Sequence, residues 1–489
     1  MKFIFCKRHL IYFIALIVLT IFYATLSRNI LPSSDAVSVM LEGKDVASGN
    51  LGLAGWYLST VSFYFTEVIW YALATKLTGY SSHQAYIIPA LMYSCLVLIA
   101  FYLSREKLGS VWALIFSIGI PSAFASLNTL IPVIHIGTYV YTLISYILIE
   151  KYTNKKELKY LVAFILLATL TCFSDDISNY ILIAPLFLSG LFFCVKNKSL
   201  YNLYVVMAVL IAYALAKAMQ YYASISGLFI LPGIPSPQFI DFDLIGKNLY
   251  LFTEGMLRYT GSFFFGKSPS EPEAIKSVIL LIVFALFCTH TYKALRISYK
   301  ISIVDMSLCV ACLIMIPAFV LSNRPIDVWS IRYLVPFFIF APIIIGRAKT
   351  TNGLIYYILA VFLVVFLAYG SGFSQRTDHS NDILNKLKTT LRENGLKDGY
   401  GSFWFASSLS IDGDLKVAPL DVNRVLNIFA CNKWLSKNDW YSTGGNFIII
   451  DDDQMRDIAL KEVGNPVKVI KTGDKSIFIY NKNITYSCQ

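Results

Sequence analysis

Apolar stretches of about 18–22 residues with almost no charge recur along this chain, each long enough to cross the hydrocarbon core of a bilayer. Inside lipid every backbone N–H and C=O has to pair within its own segment, so such blocks are read as helices. Composition points the same way. Of the 489 residues, 56% are apolar and only 15% are charged, whereas a soluble domain carries about 25% charged residues. Too little polar surface is left for a body in water. A secreted enzyme, a cytosolic enzyme and a disordered tail are excluded, and the chain reads as a polytopic membrane protein.

The formal net charge of +11 is not spread evenly. From Gln375 onward, 15 Lys and Arg nearly balance 14 Asp and Glu, so almost all the excess lies before that point. There it sits in short connectors between apolar blocks rather than in one patch, which speaks for topology and against nucleic acid. Spans are read at roughly 11–30, 85–104, 110–127, 132–149, 159–174, 179–195, 201–222, 277–292, 301–322, 331–346 and 353–372, about eleven in all. Alternate connectors hold Lys2, Lys7, Arg8, Arg105, Lys107, Lys151, Lys155, Lys156, Lys159, Lys196, Lys198, Lys293, Arg296, Lys300, Arg347 and Lys349, against Glu106, Glu150, Glu157 and Asp305. The opposite connectors are slightly acidic. The positive-inside rule makes the basic side cytoplasmic, with the amino terminus inside and the carboxyl-terminal region outside. The first span lacks a clear small-x-small cleavage site and is expected to be a retained anchor.

Residues 1–374 thus form a membrane body, and 375–489, of ordinary polarity, a small α+β extracytoplasmic domain. In that domain SNDILNKLKTTLRENG has helical spacing with a Gly stop, and GYGSFWFA, FIIID and SIFIYNK read as strands. Two further outer segments are long. Residues 31–84 include the aromatic run GWYLSTVSFYFTEVIWYALATKLTGY, which suits an interfacial helix or a hairpin and carries Glu67. Residues 223–276 begin with Pro232, Gly233, Pro235 and Pro237 and continue as surface-hugging amphipathic structure. Seven cysteines lie in or beside spans. Cys431 and Cys488 lie in the outer domain, in a compartment that permits either a bridge or two free thiols.

Charge at membrane depth is expensive, so polar groups near it are functional candidates. Here they gather at the outer ends of the spans: Asp35, His135, Asp175, Asp176, Arg324, Asp327 and Arg332. Threading alone brings such distant residues to one face, where a site meets both lipid and water. Asp35 in LPSSDAV, followed by Glu42 and Asp45, reads either as a helix cap or as a general base toward a hydroxyl. The Asp175–Asp176 doublet in TCFSDDISN suits a hydroxyl-rich ligand or a divalent cation, or else a polar turn, and no His or Cys ligand set accompanies it. Arg332 in SNRPIDVWSIRYLVPF, with Arg324 before it, suits a bidentate grip on phosphate or snorkelling to headgroups. His135 in LIPVIHIGTYVY has a catalytic and a buried structural reading. Asp412-Gly-Asp414 and Asp451-Asp452-Asp453 lack the ligand spacing of a calcium loop and read as turns. There is no GxGxxG, P-loop, HExxH or GxSxG element, so nucleotide-driven transport and serine hydrolysis find no support.

Taken together, the acid after the first span, GNLGLAGWYLSTVSFYFTE, the FSDD turn, the SIRYLVP start of a late span and the outer carboxyl-terminal domain resemble the GT-C superfamily of membrane glycosyltransferases. GYGSFWFAS and NKWLSKNDWYS are similar to stretches of its O-antigen serotype-converting glucosyltransferases. The resemblance implies an enzyme of the bacterial inner membrane that moves a sugar, glucose in that subgroup, from undecaprenyl phosphate to a hydroxyl of O-antigen on the periplasmic face. It implies inversion at the anomeric carbon with Asp35 as base and Glu42 as runner-up. Asp175 and Asp176 would orient sugar or hold a divalent cation, with His135 and Glu67 in the substrate-binding set. Arg332 and Arg324 would bind the lipid phosphate. Trp404, Trp434 and Trp440 would stack on sugar rings or fill the outer domain's own core. A donor-synthesising enzyme and a donor flippase would work beside it. The alternatives are a lipid-linked oligosaccharide flippase, for which an internal repeat and a charged path are missing, and a GT-C enzyme acting on lipid A or protein.

Overall fold

The computed structural model describes residues 2–105, 110–233, 237–299, 301–348, 353–370 and 379–488, without the side chains of 2–8, 369–370 and 379–382. Glu106, Lys107, Pro235, Lys300, Lys349 and Gln375, and the side chains of Lys2, Lys7 and Arg8, therefore lie outside the described residues. Among those residues, seven helical segments are long and apolar enough to cross a membrane: His9–Arg28, Gln84–Leu103, Asn179–Asn197, Leu200–Ile225, Pro272–Ser298, Ile303–Val320 and Val328–Ala348. Leu158–Ser174 and Leu354–Ala368 are apolar but shorter. The chain is a helical membrane protein with a strand-containing carboxyl-terminal domain.

In chain order the body consists of α1 (Lys2–Arg28), α2 (Ser34–Ala47), β1 (Trp56–Tyr57), α3 (Ile69–Thr78), α4 (Gln84–Leu103), α5 (Val111–Leu114), α6 (Ala123–Ser126), α7 (Ile136–Lys155), α8 (Leu158–Ser174) and α9 (Ala184–Asn197). It continues with α10 (Leu200–Ile225), α11 (Ile245–Tyr259), α12 (Pro272–Ser298), α13 (Ile303–Val320), α14 (Val335–Ala348) and α15 (Leu354–Gly370). The expected span at 110–127 is not one helix. α5 runs into a π turn at Ile115–Gly119, stops before Pro121, and resumes only as α6. Proline has no N–H to donate and forces the preceding residue out of the helical region, so the ladder breaks there. The carbonyls this frees are taken by side chains: Tyr93 Oη donates to Ile118 O and Tyr23 Oη to Gly119 O, both at 2.7 Å. Irregular backbone at this depth survives because protein, not lipid, surrounds it.

α14 is buried along nearly its whole length and packs against α4, α12 and α13. Its last turn carries Arg347, which the charge count places in a basic flank. Instead the guanidinium is buried and bonded to the Asp305 carboxylate, to Glu150 Oε1 at 2.7 Å and to Leu103 O at 3.2 Å. That cluster ties four helices together at the end of the bundle opposite the carboxyl-terminal domain.

The carboxyl-terminal domain comprises α16 (His379–Glu393), β2 (Asp398–Ser402), α17 (Phe403–Leu409), β3 (Lys416–Asn423), β4 (Ile428–Cys431), β5 (Ser436–Lys437), α18 (Asn438–Ser442), β6 (Gly445–Ile450), α19 (Asp453–Glu462), β7 (Lys468–Thr472) and β8 (Lys475–Ile484). Six strands form one sheet in the order β4-β3-β2-β6-β8-β7, with β2 parallel to both β3 and β6 and the outer pairs antiparallel. The helix over SNDILNKLKTTLREN and the strands over FIIID and SIFIYNK fall where the pattern puts them. GYGSFWFA does not form one strand: it ends at Ser402, and Phe403–Ala406 opens α17, which crosses from β2 to the parallel β3. A parallel pair needs such a crossover, and this outweighs the β preference of the aromatics. Cys431 and Cys488 form a disulfide.

The domain is fastened to the body through α2 and β1. Trp56 and Tyr57 pair antiparallel with Lys437 and Ser436. Asp45 on α2 accepts from Trp56 Nε1 at 2.8 Å and from Asn50 Nδ2 at 2.7 Å, and its carboxylate pairs with Lys437 Nζ at 3.1 Å. Ser408 Oγ on α17 donates to Pro32 O at 3.0 Å.

Candidate active site

The helix cap at the start of α2 belongs to Ser33, whose side chain accepts from Ala36 N. Asp35 is thereby released from the capping role that its sequence position also suggests. It lies in the first turn, half-buried, under the outer domain. Its carboxylate lies beside the Trp434 side chain and within electrostatic reach of Arg332. Burial raises its proton affinity above the ordinary aspartate value, and the indole and the guanidinium hold that rise back. Two turns on, Glu42 is buried (2% exposed) with no hydrogen-bond partner on Oε1, and burial alone drives its carboxyl well above the usual range.

Arg332 is exposed on the 3₁₀ turn Val328–Leu334 that leads into α14. Asp327 caps that turn by accepting from Trp329 N at 2.9 Å, which accounts for this acid without a ligand. α11 comes close enough to the turn that a Cβ on Gly255 would meet Ile331 Cδ1 at 2.9 Å. Arg324 lies in the loop before, which is bound by its backbone to Gln238 and Ile240. An apolar cavity of about 360 Å³ is lined by Phe252 and Met256 of α11, Phe284 and Leu295 of α12, Ile316 of α13 and Phe337 of α14.

The adjacent acids Asp175 and Asp176 diverge. Asp175, 1% exposed, accepts on Oδ2 from His135 Nδ1 and from Thr138 Oγ1, each at 2.6 Å, and on Oδ1 from Ile177 N at 3.1 Å. Asp176 is exposed and pairs with Lys217 Nζ of α10 at 3.2 Å. With one carboxylate filled and the other turned to a lysine, the doublet does not present a joint cation site. Asp412 and Asp414 likewise pair with Arg392, and Asp452 caps α19.

Glu67 is 2% exposed, accepts from Gly137 N at 2.9 Å and feels Asp175; burial pushes its carboxyl up to about 8. A Cβ on Gly137 would lie 1.9 Å from Thr66 O, so only glycine lets α7 start against this turn. His135 (φ 57°) and Val133 (φ 66°) just before it are left-handed. Such a conformation is rare for a β-branched residue and tends to persist at sites. Tyr139, one turn into α7, lies within electrostatic reach of both Asp175 and Arg332, and its hydroxyl meets Arg332 O at 3.5 Å.

The structure thus joins Asp35, Arg332, His135, Asp175 and Glu67 at the domain-bearing end of the bundle. Trp404 is 65% exposed at the start of α17, the helix that packs on α2. Trp440 instead packs edge-on to Trp56 at 5.3 Å. Sequence reading passed over Tyr139, Thr138 and Lys217, and gave Trp434 either a sugar ring or the domain's own core, whereas it lies beside Asp35. The quoted NKWLSKNDWYS run was the available signal. No protein-family model matches the chain, and no curated protein is similar to it.

Proposed function

We propose that the protein is an inverting glycosyltransferase of the GT-C kind, moving a hexose from a polyprenyl phosphate to a hydroxyl of a surface polysaccharide at the periplasmic face. One observation supports this reading: Asp35, from the loop after the first span, and Arg332, from the start of a late one, lie within electrostatic reach of each other beside the carboxyl-terminal domain. The acceptor hydroxyl gives its proton to Asp35 as its oxygen bonds the anomeric carbon. The bond from that carbon to the phosphate oxygen breaks, and Arg332 meets the charge left on the departing phosphate. A carboxylate whose proton affinity is raised by partial burial is a stronger base than a free one. Glu42 is a weaker candidate, because a buried carboxyl without a cation or a donor on Oε1 stays protonated. The apolar cavity that Phe337 helps to line suits part of an isoprenoid chain, and exposed Trp404 suits an acceptor sugar face.

The test is reconstitution of the full chain in lipid with undecaprenyl-phosphate glucose and a polysaccharide acceptor. A hexose mass increment in the acceptor is expected with wild type and none with Asp35→Asn, which inserts and folds normally. An unchanged acceptor mass with intact wild type overturns the reading.

A further inference from the structure

Asp175 is one of the two acids expected to orient sugar or hold a cation, yet it is covered and its carboxylate is already engaged. It is 1% exposed, and it receives Thr138 Oγ1, Ile177 N and His135 Nδ1. Because the hydroxyl and the amide both donate to this carboxylate, it acts as an acceptor, and Nδ1 supplies the proton of the third contact. A neutral imidazole that gives its Nδ1 proton to a carboxylate keeps a lone pair on Nε2. The ring is 14% exposed, and its Nε2 is not fully covered. Nε2 has no protein partner among the described residues. The ring is held edge-on to Phe63 at 5.3 Å and tilted to Tyr139 at 6.2 Å. Tyr139 connects it to the Arg332 turn. Phe63 and Val133 line a crevice shared with Val39 and Glu42 of α2 and Leu435 of the outer domain. His135 therefore stands between the arginine turn and the helix that carries Asp35.

We infer that His135 Nε2 accepts a hydrogen bond from a substrate sugar hydroxyl and that Asp175 is a positioning residue, fixing the tautomer and the ring without touching sugar. This rests on the glycosyl-transfer reading above. The left-handed backbone at Val133 and His135 fits that role: it sets the imidazole at the start of α7 against Asp175 and Phe63. Orientation of an imidazole by a buried carboxylate is a general device for making the far nitrogen an acceptor.

The reconstituted full chain, with undecaprenyl-phosphate glucose as donor and an oligosaccharide acceptor, provides the test. His135→Ala should lower kcat/KM by about 10- to 100-fold, the range expected when one polar partner is removed from a site. His135→Gln, whose amide oxygen also accepts, should recover much of that loss. Asp175→Asn should cost less, and little more when added to His135→Ala. In a panel of singly deoxygenated donors and acceptors, one compound should be poor for wild type yet lose nothing further with His135→Ala. Equal loss in the Gln and Ala variants, full additivity of Asp175→Asn with His135→Ala, or a deoxy panel that treats both proteins alike would each overturn the inference while leaving the transfer reading standing. Wild type that transfers no sugar overturns both.

Discussion

The Trp434 side chain lies close enough to the Asp35 carboxylate to hold down its proton affinity, so a residue of the carboxyl-terminal domain acts on a side chain from the first loop of the body. The contact is possible because the β1–β5 pairing and the Asp45–Lys437 ion pair hold the two parts in register beside it. The domain is therefore a wall of the site and not an appendage to it.

Removing that indole has a signed consequence. Trp434 and Arg332 both oppose the rise that burial imposes on Asp35. Trp434→Phe leaves the rise less opposed, so Asp35 holds its proton to higher pH. As a base it works only when deprotonated, and the acid limb of kcat/KM should shift upward. Arg332→Gln should shift it the same way and also raise the KM for the lipid donor. A limb that stays in place in both variants would remove Asp35 from the role of base.

Glu42 should behave as a neutral residue. Its carboxyl is buried without an ion-pair partner, so Glu42→Gln keeps shape and charge state at neutral pH. Transfer within about twofold of wild type is expected, with Tm unchanged; Glu42→Ala should cost roughly 1–3 kcal/mol through the space it leaves. A Gln variant without transfer activity would instead make Glu42 the proton acceptor.

Glu67 makes stability fall as pH rises. Its folded carboxyl titrates at about 8, far above the ordinary 4.5. Between those values the folded state holds a proton that the unfolded state has given up, so the slope of stability with pH is negative there. The contribution is whole below the unfolded value and lost by the time pH passes the folded one. Thermal unfolding in detergent from pH 5 to 9 should show this decline, and Glu67→Gln, which keeps an acceptor for Gly137 N, should flatten it.

Much of this architecture was legible because its causes are local in sequence. Apolar blocks mark helices, and the run before Gly395 (φ 65°) marks α16 and its stop. Asp35, His135, Asp175 and Arg332 stood out because polar groups beside spans are scarce. What stayed hidden depends on tertiary partners. Nothing around Asp175 and Asp176 says that one faces His135 and the other Lys217. The broken stretch at 110–127 is as apolar as a true span, and only Tyr23 and Tyr93 from other helices make the break tolerable. Arg347 reads as a topology signal, and its burial against Asp305 and Glu150 requires three helices to converge.

Gly137 has no room for a side chain. With Thr66 O 1.9 Å from where a Cβ would lie, Gly137→Ala must push α7 away from the turn that carries Glu67. Overpacking of this kind costs about 1–3 kcal/mol or more. The displaced helix start would also loosen the Gly137 N to Glu67 contact and the His135–Asp175 pair two residues away. A lower Tm together with a loss of activity larger than the stability change explains is expected; an unaltered Tm would show that the turn can yield.

The last prediction concerns docking. Asp45 serves Asn50, Trp56 and Lys437 at once, and two of these lie at the joint between body and domain. Asp45→Ala strands the indole N–H and leaves the ammonium only the exposed Asp439 at 3.2 Å, whereas Lys437→Met removes only the ammonium and leaves Asp45 with its two other donors. Leaving a partly buried charge or donor without its partner costs more than removing both members of a pair. Asp45→Ala should therefore speed hydrogen exchange at Trp56–Tyr57 and Ser436–Lys437 more than Lys437→Met does. Because Trp434 lies two residues before Ser436 in the same segment, the acid limb of transfer should move with it, in the direction given for Trp434→Phe. Faster exchange with an unmoved limb would mean that Trp434 holds Asp35 without help from the β1–β5 joint.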